Sequence, residues 1–543
     1  MKQARPPGLR DQSNDSYIER MMKLQADILI LGSGFGGSLL GLILARAGKS
    51  VLMVDRSQHP RFAIGESSTP LADRTLAQLA DRYGIPELRP FCHWGSWKRD
   101  HPQLLCGRKR GFTYFDQTGS QELSPENFAA RRMLVSASVD DDHSDTHWLR
   151  SDVDQFLFQL AISSGVTAFQ QCTYTLSQQQ NQWLLSGEGN AACKTERQAA
   201  GLQGSSEPLQ VQAPFVVDAT GSANGVLRYL GISDQTDRLR TNSRSLFAHF
   251  KRTLTSEQLL GSKRIETNDF PYRCDDAAVH QVLPDGWMWQ LRYDDNSLSA
   301  GFMIDERPTA ARAPQTFETP AEEWDWRIKR TPFLAQQFRE ATIVRPHSGL
   351  QSTKRIQRLT SQAAGDNWAA ITNTAGFVDP LHSSGIAHTL FSVSRLADVL
   401  LTATDVGDRK RLLHEYSESL ISEICCVDEL VEGCYEAIPS FSLWCLWGML
   451  YFAASTSMEQ SASEGLRSVS FLRANDTQFR TMLSAARQQL GIARNAAKTE
   501  RKSAEARFAN WLKAAIEPWN QVGLFDDSCN GLYSQTAAPA DAW

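Results

Sequence analysis

The stretch Asp27-Ile-Leu-Ile-Leu31-Gly32-Ser-Gly34-Phe-Gly36-Gly37 decides the fold. Its four consecutive apolar residues read as a strand buried on both faces. The glycine-rich turn leads into a predicted helix from Gly37 to about Ala47, which Gly48 closes. A second apolar strand, Ser50-Val-Leu-Met-Val54, ends on Asp55 and Arg56. Strand, turn, helix, strand and acid in this order make a dinucleotide-binding βαβ unit. Gly32 permits the tight turn, Gly34 lets the backbone approach a pyrophosphate, and Gly37 lets helix and strand pack closely, with Gly36 in the same turn. The helix N-terminus offers free N–H groups to that pyrophosphate. Asp55 stands where a carboxylate accepts from a ribose diol.

Composition narrows the class around this unit. At 543 residues the chain predicts two interwoven lobes rather than one simple domain, and a hydrophobic fraction of 41% fills a large core. A net charge of -5 leaves no basic footprint for a nucleic-acid partner. The ten cysteines form no CxxC pair, so they suggest neither a metal site nor a disulfide framework. Reduced thiols in a cytoplasmic protein are the expectation. Leu443 to Ala454 is the most apolar run, too short for a membrane span, and reads as a buried helix or a substrate contact. Residues 1–22 read as a disordered tail.

Further along, Gly65-Glu66-Ser67-Ser68-Thr69-Pro70 is a predicted loop before a helix that starts near Leu71. Gly107 to Phe115 reads as a strand, Gln121 to Asp145 as a polar, acidic surface excursion. Trp148-Leu-Arg150-Ser-Asp152 opens a helix. Phe169 to Pro214 is a β-meander, and Phe215-Val-Val-Asp218 is a strand entering the turn Ala219-Thr220-Gly221. A β-like pattern from Ser245 to about Ile304 includes Trp287-Met-Trp289. The strand Trp368 to Ile371 leads into Gly376-Phe-Val-Asp379-Pro380-Leu-His382-Ser-Ser384-Gly385 and then a helix. The remainder, about Ala397 to Leu524, is mostly helical by periodicity.

Taken in order, these segments resemble the flavin monooxygenase superfamily with the glutathione-reductase-type FAD fold, over most of residues 25 to 400. Within it the chain is most similar to the flavin-dependent halogenases. The phosphate loop, the Gly65–Pro70 loop, the Trp287-x-Trp289 strand and the Gly376–Gly385 segment carry this resemblance. It implies an α/β fold: a Rossmann-like FAD-binding domain at 23–400, interwoven with a β-sheet substrate lobe (about 85–145 and 235–345), and a mostly helical region at 401–543. It also implies FAD contacts at Gly32, Gly34, Gly36, Gly37, Asp55, Arg56, Glu66, Ser67, Ser68, Arg150, Asp218, Gly221, Gly376, Asp379 and Pro380.

The chemistry it implies starts from FAD reduced by a separate flavin reductase. Oxygen and a chloride or bromide, the halide held near Ser384 and Gly385, then give hypohalous acid. A lysine passes this to an electron-rich aromatic substrate of phenol, pyrrole or indole type, free or tethered to a carrier protein. Two lysines compete for that role. Lys109 fits the family's strand pattern, whereas Lys98 fits the distance from the Gly-Glu loop better. Strand alternation favours Lys109. His382 occupies the place of a glutamate that assists the lysine in tryptophan-type enzymes, and a histidine can act as a base near neutral pH. Trp287 and Trp289 either separate flavin from substrate or pack a sheet core. The alternatives are an aromatic hydroxylase, which needs no lysine, and an isoprenoid-type FAD reductase.

Overall fold

The structure, a computed structural model, describes residues 22–119, 121–192, 207–307, 316–461, 470–534 and 536. The predicted N-terminal tail lies outside the described residues except for Met22. Met22–Gln25 is the edge strand of a nine-stranded sheet. At that sheet's centre, Ile28–Leu31 runs parallel to Val51–Val54 on one side and Phe215–Asp218 on the other. All three strands are buried along their whole length. Each Leu or Ile so enclosed contributes about 1.5–3 kcal/mol. The helix Phe35–Arg46 packs on this sheet with ten residues buried and no apolar stripe, as expected of a helix covered on all sides. It starts two residues before the sequence expectation. The expected meander is present as Thr167–Gln179, Gln182–Ala191 and Glu207–Ala213, paired antiparallel.

A second nine-stranded sheet lies where the substrate lobe is expected. Its path runs through Thr342–Arg345, Ser243–Lys251, Leu298–Asp305, Gly286–Arg292, Ala278–Leu283, Gly111–Asp116, Arg132–Ser136 and Leu532–Tyr533, and Gln351–Ser352 pairs with Ser243–Lys251 off that path. The expected acidic excursion at 121–145 is corrected here. Its Met133-Leu134-Val135 core makes Arg132–Ser136 a fully buried strand, and Asp145 begins another. Flanking charge hid a short apolar run that the sheet required.

A separate two-stranded ribbon, Cys106–Lys109 paired antiparallel with Asp145–Trp148, puts Lys109 opposite Asp145. The helix Pro70–Tyr83 follows the Gly-Glu loop directly. Thr69 caps it by accepting from the Ala72 N–H, Pro70 starts it, and Gly84 ends it in the left-handed region. In the C-terminal region, Ser384–Thr402, Val406–Ala437, Phe441–Ser461, Thr477–Arg494 and Arg501–Ala515 are helices. The apolar run Leu443–Ala454 lies inside Phe441–Ser461, with Trp444, Trp447 and Tyr451 buried. Among the described residues no helix is long and apolar enough to cross a membrane, and the nine described cysteines are free thiols.

Candidate active site

The nucleotide end is built from backbone. Gly32 has φ +99°, and a Cβ there would lie 2.4 Å from the Ala219 carbonyl oxygen. A Cβ on Gly37 would lie 2.1 Å from the Gly32 oxygen, so turn and helix touch through their main chains. The first turn of Phe35–Arg46 carries no acid, leaving its N–H groups free to receive an anion. A pyrophosphate therefore fits this cradle. Asp55 closes the second strand and accepts from the Ser33 N–H, the Ser33 hydroxyl and the Ser57 N–H, each at 2.8 Å. Burial pushes its carboxyl up, but Arg61 and these donors outweigh that and hold it below the usual value. Arg56 beside it is exposed. Gly221 has φ +62°, with open space where a side chain would stand. The Asp218 carboxylate faces inward instead, accepting from the Thr220 hydroxyl at 2.6 Å and the Val226 N–H at 2.7 Å.

The Gly-Glu loop is laid along the ribbon like a third strand. The Trp148 N–H donates to Glu66 O, the Ser68 N–H to Thr146 O, and Ser67 bridges His147. Arg150, at the start of the helix Arg150–Ser163, forks onto Asp154 and also donates to the Ile64 and Gly65 carbonyls, at 2.8 and 3.1 Å. It thus braces the loop from behind. The Glu66 carboxylate is turned into the second sheet, where His249 at 2.8 Å, Tyr293 at 2.9 Å and Ser299 at 2.7 Å surround it.

This stacking of loop on ribbon separates the two lysines. Lys109 is fully buried, its Nζ donates to the Ser68 carbonyl of the Gly-Glu loop, and it lies 4.2 Å over the Phe112 ring and 3.8 Å from Asp145. Burial lowers its pKa, against the opposing pull of Asp145 and Asp73. Lys98, on the helix Trp94–Asp100, is one-third exposed and forms an ion pair with Asp294 at 2.9 Å. It stands apart from the loop.

The Asp-Pro segment departs from expectation. The Asp379 carboxylate is occupied by protein donors: Tyr435 at 2.8 Å, Ser243 at 3.0 Å and the Leu381 N–H at 3.1 Å. Burial pushes it up to about 7 even so. Trp287 donates to the same Tyr435 hydroxyl at 3.1 Å, and both Trp287 and Trp289 are buried. His382 stacks on Tyr451 with ring centroids 4.3 Å apart. Burial pushes its pKa down to about 3, so it is neutral and a poor base at neutral pH, contrary to the role expected of it. Gly376 pairs with Leu359, and Pro380 accepts from the Ser383 N–H. Ser384 opens its helix, and beyond the Gly385 Cα is open space.

The tryptophan halogenase family profile matches residues 143–440. The chain belongs to that family. Among its relatives is the monodechloroaminopyrrolnitrin halogenase PrnC of Pseudomonas fluorescens, 29% identical over 77% of this chain and 69% of that one. The tetracycline 7-halogenase of Kitasatospora aureofaciens is 27% identical over 77% and 71%. The solved structure of halogenase PltM shares the fold, with a TM-score of 0.75 at 24% identity over 94% of this chain and 99% of that one. The chain is thus a flavin-dependent halogenase with FAD as its cofactor.

The sequence reading missed Asp73, Asp145 and His147 around Lys109, and Tyr435 beside Asp379. Asp145 and His147 alternate on the strand that pairs with Lys109, which is the one sequence-level signal they leave. Asp73 reads as an ordinary acid in the first turn of a helix. Tyr435 leaves no signal, being one of many aromatic residues on a long helix.

Proposed function

We propose that this halogenase acts on an electron-rich aromatic and that Lys109 presents hypohalous acid to the ring. The observation that carries this reading is the buried Lys109 ammonium donating to the Ser68 carbonyl, one hydrogen bond from the flavin loop. FAD, reduced by a separate flavin reductase, supplies the electrons that turn oxygen and a chloride or bromide into hypohalous acid. The N–H groups at Ser384 and Gly385 hold the halide, since a helix N-terminus favours an anion. Trp287, Trp289 and the His382–Tyr451 stack wall the site and exclude water. The Lys109 Nζ donates to hypohalous acid and orients its halogen toward the substrate. The ring attacks the halogen, hydroxide leaves, and that hydroxide takes the proton the ring carbon gives up, so that one water is released.

The relatives' names support a ring substrate. PltM has been solved with phloroglucinol and FAD, a phenol-bearing case. Two further relatives are a brominase and a chlorinase of carrier-bound pyrrole-2-carbonyl groups, so a tethered substrate is the variant to test.

The test is a single turnover of protein loaded with reduced FAD, with oxygen, bromide, monochlorodimedone as trap, and catalase. Both wild type and Lys109→Ala are expected to brominate the trap, which reads hypobromous acid; with phloroglucinol in place of the trap, Lys109→Ala is expected to lose at least about 10³-fold in ring bromination while keeping FAD. Bromination of that ring by Lys109→Ala at the wild-type rate overturns the lysine reading. Oxygen consumption without any use of bromide overturns the halide step.

A further inference from the structure

Lys109 does not stand alone in its enclosure. Asp145 faces it across the ribbon, 3.8 Å from Nζ, and Asp73, on the helix Pro70–Tyr83, meets the Asp145 carboxyl. Both carboxyls are buried, at 3% and 1% exposure. Asp73 draws on the Ser68 hydroxyl alone as a donor, outside ordinary hydrogen-bond geometry, and Oδ2 of Asp145 has no ordinary donor, the Lys109 Nζ standing 3.8 Å away. The two carboxyls face each other instead, and each influences the other's titration. Two carboxylates in contact without a donor between them repel, unless a proton lies between them. One shared proton leaves a single negative charge, which one ammonium cancels.

Among the described residues, the surroundings add no other charge at this spot. Burial pushes His147 down to about 3 and His280 down to about 4, so both rings are neutral. Burial raises the Cys92 thiol near Asp73 and the Tyr451 phenol near Asp145, which keeps them protonated. Glu459 lies beyond Tyr451 and faces Arg74.

We propose that Asp73 and Asp145 are positioning residues that share one proton and thereby hold Lys109 as an ammonium directed at the flavin loop. This rests on the reading of Lys109 given above and deepens it. An amine would attack hypohalous acid, form an N–halogen bond and release water. An ammonium has no lone pair for that attack and serves as a hydrogen-bond donor alone. Asp145 is the counter-ion, and Asp73 is the acid that completes it. Both carboxyls are raised, chiefly by burial and, for Asp73, next by the charge of Asp145.

The two acids therefore differ in what an isosteric amide does. In Asp73→Asn the amide donates to Asp145 as the protonated acid would. In Asp145→Asn the negative charge passes to Asp73, which holds the lysine less strongly than Asp145 does, and the lysine's proton affinity falls. The experiment is the pH profile of phloroglucinol bromination by wild type, Asp73→Asn, Asp145→Asn and Lys109→Ala, all FAD-loaded. Asp145→Asn is expected to move the alkaline limb down by at least about one pH unit, the effect of moving an opposite charge out of contact. Asp73→Asn is expected to move it by less than about half a unit and to keep activity within about tenfold. An unmoved limb in Asp145→Asn, or equal losses in both variants without a shift, overturns the proposal. Product from Lys109→Ala overturns the underlying lysine reading instead. Infrared spectroscopy of the oxidised wild type gives a second readout that needs no variant to turn over. It is expected to show the carbonyl stretch of a protonated buried carboxylic acid that both amide variants lack, and its absence from the wild type also overturns the proposal.

Discussion

The two ends of the site are made differently. The nucleotide end is a backbone device: Gly32, Gly37 and Gly221 matter for what they lack, and the binding groups are main-chain N–H donors. The lysine end is a side-chain device, drawn from the helix Pro70–Tyr83 and both strands of the ribbon, each group placed by burial. A backbone device tolerates change in most side chains and fails at one Cβ. A side-chain device fails by degrees, as charge and hydrogen bonds are removed singly.

Substitutions that break this contrast range from severe to silent. Gly37→Ala should be the most damaging, because its Cβ would stand 2.1 Å from a carbonyl oxygen that cannot move without opening the turn. The expected cost is at least about 2 kcal/mol, with loss of bound FAD, read by flavin absorbance after gel filtration and by the urea midpoint. A Gly37→Ala protein with full FAD occupancy would show that the cradle is not set by main-chain contact.

At the seam between the two ends, Tyr435→Phe removes the donor at 2.8 Å from Asp379 and the acceptor of Trp287. It should cost about 1–2 kcal/mol in denaturant unfolding while leaving FAD bound. Asp379 should also take up its proton more readily, since its strongest side-chain donor is gone. Any activity that needs the ionised form should then fail at a higher pH than in the wild type, which a pH-rate profile reads.

Lys98→Ala sharpens the comparison at the small end. Its partner Asp294 sits in solvent reach, so the pair is worth under about 1 kcal/mol and bromination should stay within about twofold. A large loss of product in Lys98→Ala would return that lysine to the mechanism.

The same contrast explains what the sequence disclosed. The phosphate cradle was legible because a demand on φ or on close approach maps onto one residue type, glycine. Strand period pointed to Lys109 rather than Lys98; the ribbon buries Lys109 completely, while Lys98 is one-third exposed. Arg110 is an exception to simple alternation. It is buried too, because the ribbon turns into the second sheet at that residue. The partners of Lys109 were not legible, since their meeting depends on how a helix and two strands pack. Asp379 and His382 misled for the same reason. Motif position suggested a flavin contact and a base, whereas tertiary neighbours give the first a tyrosine and leave the second too weakly basic. The short strand Arg132–Ser136 was concealed by the acidic residues around it.

Leu532–Tyr533 has a consequence in time rather than in space. It lies along Arg132–Ser136, and Thr536 donates from both its N–H and its hydroxyl to the Ser136 carbonyl, 400 residues away along the chain. During synthesis, the βαβ unit is in place once Asp55 has emerged, while Arg132–Ser136 waits about 400 further residues for the strand that pairs with it. Over that interval the nascent chain carries Arg132–Ser136 as an open strand edge, able to pair with a neighbouring chain. Chaperone demand in a cell making this enzyme should track the delay between those two strands.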